Sequence, residues 1–216
     1  MKYSTHLLNW TGLWLVAIGL AGCTLLSPIP DKSRFYLLTP MAPGEAGTPV
    51  NPQNMRGLVL GLGPIKFPDY LDRTDIVTRV EPNRLQFSEN DHWAEPLKNN
   101  FTRVFSQNLS TLLGVQQIVN FPWYSSTHID YQIVVSVDRF ECDGQGNARL
   151  AARWTINDPA SGQILDRDES DLSAPGGGGT DQQVAALSQT LGAFSRQIAS
   201  AVAQVINRQP PREMTK

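Results

Sequence analysis

From Ile129 onward apolar and polar residues alternate. Ile129, Tyr131, Ile133, Val135 and Val137 fall on one side, and Asp130, Gln132, Ser136 and Asp138 on the other. That period of two is the signature of a half-buried strand. Asp143-Gly144-Gln145-Gly146-Asn147 turns the chain. Leu150, Ala152, Trp154 and Ile156 then alternate against Arg149, Arg153, Thr155 and Asn157. A second turn, Asp158-Pro159-Ala160-Ser161-Gly162, leads to a third strand near Gln163 to Leu172, completing an antiparallel meander with one apolar face. The period is helical in two other places. Leu97, Phe101, Val104, Phe105, Leu109, Leu112 and Leu113 predict a helix from Ala94 that stops at Gly114, with Asp91 as its cap and Pro96 in its first turn. Val184, Leu187, Leu191, Phe194, Ile198, Val202, Val205 and Ile206 predict a second, longer helix between the Gly176–Gly179 link and Pro210-Pro211.

Shorter strands are predicted at Arg34 to Leu38, at Gly57 to Phe67 with a break or bulge at Gly61-Leu62-Gly63-Pro64, and at Val115 to Val119. Ile76 to Val80 and Arg84 to Phe87, either side of Glu81-Pro82-Asn83, read as a hairpin with Leu85 and Phe87 on one face. Pro40 to Asn54, rich in Pro and Gly, reads as a loop. The expected class is α+β: a largely antiparallel sheet packed against two amphipathic helices, in a single domain.

The N-terminus follows a different logic. Lys2 and His6 precede an apolar run from Leu13 to Ala21, much shorter than the about 20 residues a bilayer-spanning helix needs. A positive start, a short apolar stretch and small residues describe a secretory signal peptide. It ends Leu20-Ala21-Gly22-Cys23, which resembles the lipobox of bacterial lipoproteins. In that family the cysteine carries diacylglycerol through a thioether, and its new amino group is acylated, for example by palmitate. An ordinary secretory signal with a chance cysteine is the alternative. The expected organisation is a signal peptide over 1–22, a lipidated Cys23 and tether over 23–32, one domain over 33–208 and a tail over 209–216. Thr24, not Asp, follows the cysteine, and among such lipoproteins of Gram-negative bacteria this implies the outer membrane, periplasmic face.

Composition narrows the chemistry. A formal charge of −2 over 216 residues supplies no basic excess for a nucleic-acid backbone, so no nucleic-acid partner is expected. Two cysteines exclude a disulfide-dense scaffold and a four-thiolate zinc site. With Cys23 lipidated, Cys142 is left either as a buried thiol or as an intermolecular bridge. His92 and His128 sit in no metal-binding motif, and no GxSxG elbow occurs. Gly61-Leu62-Gly63 is followed by Pro64 rather than by a helix, so a bulge accounts for it better than a dinucleotide site. Asp166, Asp168, Glu169 and Asp171 lack the spacing of a calcium loop and read as a solvated strand edge beside Arg167. No catalytic residue, cofactor or metal is expected. Phe121, Trp123 and Tyr124 flank Pro122 and either cap the core or face a membrane or a partner chain.

With these residues laid out, the chain resembles the ABC-type transport auxiliary lipoproteins. The resemblance rests on the lipobox, on Phe35-Tyr36-Leu37-Leu38, on Pro68-Asp69-Tyr70-Leu71-Asp72-Arg73 with Ile76-Val77, and on His92-Trp93-Ala94-Glu95-Pro96-Leu97. It extends through the meander to the last helix. It implies a non-enzymatic accessory subunit of an MCE-type intermembrane lipid transport system. Such a subunit is anchored in the outer membrane by its acyl chains, assembles as a homo-oligomeric ring and docks the MCE-domain tube protein, supporting membrane integrity. The alternative is a lipoprotein that assists outer-membrane assembly or activates a cell-wall synthase through protein–protein contact.

Overall fold

The computed structural model describes residues 30–42, 44–45, 55 and 57–208. The expected signal peptide over 1–22, Cys23, most of the 40–54 loop and the expected 209–216 tail lie outside them. Among the described residues the strands form one eight-stranded mixed sheet, with two long helices. Its backbone is the predicted meander: β6 (Tyr131–Asp143), β7 (Ala148–Asp158) and β8 (Gln163–Ala174), paired antiparallel in that order. The edge of β6 away from β7 is shared. β2 (Val59–Lys66) runs parallel to its first half, Leu60 opposite Tyr131, and β3 (Asp75–Glu81) meets its far end, Thr78 opposite Cys142. β5 (Gln117–Asn120) lies parallel outside β2, β4 (Arg84–Trp93) pairs antiparallel with β3, and β1 (Arg34–Tyr36) runs parallel along β4. The long ladders are thus antiparallel and the parallel ones short, in the α+β class the hydrophobic pattern predicts.

α1 (Leu97–Leu113) and α2 (Thr180–Arg208) pack together over one face of the sheet. The predicted inward residues of β6 and β7, from Tyr131 to Val137 and from Leu150 to Ile156, are buried beneath them. The register of β6 slips by one residue at Asp138, between Val137 and Arg139. After that slip Phe140 and Cys142 face the helices in turn, while Arg139 and Glu141 face the other side of the sheet, where Glu141 is nonetheless buried, because side chains alternate strictly along a strand. Phe101 of α1 sits at the centre, with ring centroids 5.2 Å from Phe140 and 5.1 Å from Phe67.

Gly114 ends α1 in the left-handed conformation, with φ 64°, as its position predicts. Its start differs from the expectation. Asp91 is not the cap: β4 continues through it to Trp93, and Pro96 occupies the capping position. Asp91 is instead buried as a strut. It accepts a hydrogen bond from Arg34 of β1 at 2.7 Å and another from Thr180, the first residue of α2, at 2.6 Å. A cap-like residue was thus recruited by a distant element, which local spacing does not reveal.

Residues 38–41 form an extended strap over the two helices. The backbone N–H groups of Leu38 and Met41 donate to the side-chain oxygens of Asn100 and Asn108 of α1, at 2.6 and 2.9 Å. Thr39 N–H donates to Ser188 Oγ of α2 at 3.1 Å. These buried polar residues interrupt otherwise apolar helix faces because a backbone without a strand partner must find acceptors. Gly192 of α2 leaves room for Met41, whose Cγ would lie 3.1 Å from an added Cβ. From Ser33 onward the chain is one compact unit that holds the whole described core. That unit is expected to fold without the residues that precede it.

Candidate docking surface

Phe121, Trp123 and Tyr124 lie in the loop that leaves β5 and returns to β6. Phe121 and Tyr124 are 52 % and 84 % exposed, and Trp123 is half-buried. Phe121 and Trp123 meet edge to face, ring centroids 5.4 Å apart. The loop is held at both ends: Phe121 N–H donates to Leu62 O at 2.9 Å, and Asp130 pairs with Val59 through its backbone N–H (2.9 Å) and its carboxylate (2.8 Å). The Gly63–Pro64 and Phe121–Pro122 bonds are both cis.

The Gly61-Leu62-Gly63 segment explains how the aromatic residues come to rest here. A Cβ on Gly61 would stand 2.8 Å from Ile129 Cγ2 and 2.9 Å from Trp123 Cη2, and one on Gly63 would stand 2.9 Å from Phe121 Cβ. The predicted bulge is present, as a register shift between Leu62 and Ile65, but the two glycines also make a bare strip for the aromatic loop. The surface is therefore rigidly seated on β2 while its tip, Tyr124, projects into solvent. Gly61→Val is expected to cost about 1–3 kcal/mol by overpacking and to lift Trp123 out. Urea denaturation and a red shift of tryptophan emission would report both. An unchanged emission maximum would show that the ring does not rest on Gly61.

The motifs that carry the family resemblance build a second, charged cluster. Pro68-Asp69-Tyr70-Leu71 forms a short 3₁₀ turn over Asp69–Leu71 that buries Leu71. It lays the Tyr70 hydroxyl 2.9 Å from Glu141 Oε2. Arg79 Nε and Arg139 Nε each donate to Glu141 Oε1 at 2.8 Å, and Phe140 N–H donates to Oε2 at 3.0 Å. Burial by itself would raise the Glu141 pKa, but the hydrogen bonds from Arg79, Arg139 and Tyr70 outweigh it and the net shift is downward. Tyr70 is pushed up to about 12, by burial first and then by the Glu141 charge. Sequence reading passed over this cluster. Its one visible signal was an acidic residue in an otherwise apolar stretch, Phe140-Glu141-Cys142. Likewise Trp93-Ala94-Glu95-Pro96-Leu97 is a hinge: Trp93 and Leu97 are buried, Ala94 N–H donates to Tyr36 O at 2.9 Å, and Glu95 accepts from Asn100 and Arg103.

The remaining candidate residues are scattered. His92 Nδ1 lies 3.2 Å from Asp75 and His128 Nε2 lies 3.1 Å from Asp130, each a separate pair. Cys142 is the buried thiol, pushed up to about 12 by burial and then by the charges of Asp143 and Glu141. The acidic run lines the exposed edge strand β8, but Asp171 pairs across strands with Arg149 rather than with Arg167. Among the described residues no helix is long and apolar enough to cross a membrane.

The architecture and the two motif segments now meet their relatives. The model of the ABC-type transport auxiliary lipoprotein component family matches residues 36–199. The chain belongs to that family. It is 26 % identical over 200 residues to the intermembrane transport lipoprotein PqiC of Escherichia coli, a match covering 91 % of this chain and 98 % of that protein. PqiC of Shigella flexneri matches to the same extent. The fold is shared with a crystal structure of a Xanthomonas campestris protein: TM-score 0.66, 16 % identity, covering 81 % of this chain and 98 % of that one. A second crystal structure, of an uncharacterized protein, gives TM-score 0.63 at 22 % identity, covering 79 % and 98 %. As a member of its family the chain is an auxiliary component of ABC-type transport.

Proposed function

We propose that this chain is a non-enzymatic, outer-membrane lipoprotein subunit of an MCE-type intermembrane lipid transport system, docking the periplasmic tube at the outer membrane and supporting membrane integrity. Family membership carries the reading, and the near full-length match to the intermembrane transport lipoprotein PqiC directs it to traffic between membranes. The lipobox at Leu20–Cys23 supplies an anchor: acyl chains contribute about 0.8 kcal/mol per buried CH₂, and stable attachment takes more than one. The rigidly seated Phe121, Trp123 and Tyr124 supply an apolar surface for a protein or membrane partner. Homo-oligomerisation as a ring would match the cyclic symmetry of a tube.

Cys23→Ala is expected to remove the protein from the outer-membrane fraction, followed by sucrose-gradient fractionation. If the variant still sediments with the outer membrane, the anchor assignment fails. Light scattering of the anchor-free domain is expected to give a ring-sized mass, and pull-downs to recover an MCE-domain subunit. Recovery of a cell-wall synthase or a β-barrel assembly component instead would favour action as an assembly or activator lipoprotein.

A further inference from the structure

β5 stops at Asn120, opposite Leu62, whereas β2 runs on past its bulge to Lys66. Beyond that point the β5 side of β2 carries no strand, and a groove of about 480 Å³ opens there, within the range of about 300–1,000 Å³ typical of small-molecule sites. The buried Leu62 and Ile65 and the half-buried Pro64 form its floor and the exposed Phe121 and Pro122 one wall; Lys98 and Arg103 of α1 form the other. The groove is apolar below and cationic at the rim, with no carboxylate lining it. Arg103 is bound by Glu95 at 2.6 Å, but among the described residues Lys98 has no ion-pair partner. The rim therefore holds a net positive charge in a protein that is negative overall.

We propose that this groove binds a single anionic phospholipid, one acyl chain against Pro64, Phe121 and Pro122 and the phosphate at Lys98. The pairing follows from charge complementarity. A neutral amphiphile would use the Phe121-Pro122 wall and leave Lys98 idle, and a free phosphate would use Lys98 and leave that wall in water. This deepens the reading of the chain as an intermembrane transport lipoprotein, and rests on it for the source of lipid. Tyr124 does not line the groove, whereas Phe121 faces both the groove and the loop surface, so a lipid bound here would border a partner held at the loop tip.

The test uses the isotope-labelled chain from Thr24 onward, which keeps the compact unit. The probes are dihexanoyl phosphatidylglycerol below its micelle concentration, the matching phosphatidylcholine, and inorganic phosphate. Saturable shifts with phosphatidylglycerol are expected at amides around Ile65, Lys98 and Phe121, weaker binding of phosphatidylcholine, and no saturable shift with phosphate. Lys98→Glu, at an exposed site, is expected to weaken phosphatidylglycerol about tenfold with the amide spectrum otherwise retained. Phe121→Ser is expected to weaken both lipids. Phosphatidylglycerol shifts that fail to saturate, that spread over the surface, or that survive Lys98→Glu undiminished overturn the proposal. So does equal binding of inorganic phosphate. A domain that recovers an MCE subunit yet binds no phospholipid sinks the groove and leaves the transport reading intact. Groove-bound phospholipid with no such partner does the reverse.

Discussion

Glu141→Ala is expected to destabilise the folded chain by about 3–5 kcal/mol, the typical result of removing one partner from a buried ion pair. The Glu141 side chain is fully screened from solvent, and Arg79 and Arg139 are 20 % and 27 % exposed. Without the carboxylate the two guanidinium groups lose the charge that neutralises them, Phe140 N–H loses this acceptor, and the Tyr70 hydroxyl keeps only Asp138 O at 3.4 Å. Urea denaturation at neutral pH measures the loss, and a value below about 1 kcal/mol would mean that water already screens the cluster. The same group sets an acid limb. Its folded pKa lies below the unfolded value of about 4.3, so its contribution is complete above that pH and is lost as pH falls through the folded value. Glu141→Gln is therefore expected to be less stable than the parent at pH 7 and to lose less on acidification. Tyr70 acts at the other end. Raised to about 12, it contributes fully below about pH 10 and ceases to do so as pH rises through 12. Tyr70→Phe should flatten that alkaline limb.

Phe101→Ala is expected to cost a comparable about 3–5 kcal/mol, for a different reason. Phe101 is 0 % exposed and touches rings from four parts of the chain. Phe67 follows β2, Phe105 lies one turn on in α1, Phe140 is in β6 and Phe194 in α2, with centroids 5.1–6.5 Å away. Four walls fixed by separate elements cannot collapse together, so most of the cavity stays open. For a domain of this size that corresponds to a fall in Tm on the order of 10 °C. Calorimetry of the anchor-free domain checks it; a loss under about 2 kcal/mol would show that the site refills.

Legibility followed the range of the interaction. The meander and α1's glycine stop are local, and both were readable from the pattern of residues. So was the bulge at Gly61–Pro64, because proline and glycine act on their own backbone. Asp91 was misread because its spacing before a helix imitates a cap, while its partners Arg34 and Thr180 are 57 and 89 residues away. The aromatic loop was visible as composition. Its seat was not, since only the fold brings Trp123 onto Gly61. Glu141 was passed over for the same reason: Arg79 and Tyr70 arrive from β3 and from the 3₁₀ turn, and only Arg139 is a near neighbour in sequence.

By itself, then, the sequence determined the kinds of element, their order and the family resemblance, because periodicity, turn chemistry and short motifs act within a few residues. Only the tertiary structure decided that β2 and β3 share one edge of β6, that Asn100, Asn108 and Ser188 hold the strap, that Glu141 is buried among arginines, and that a groove opens past the end of β5. The strap depends on how two helices distant along the chain pack together, and the others on register between distant strands. A shift of one residue there exchanges the buried and exposed faces without altering the local pattern.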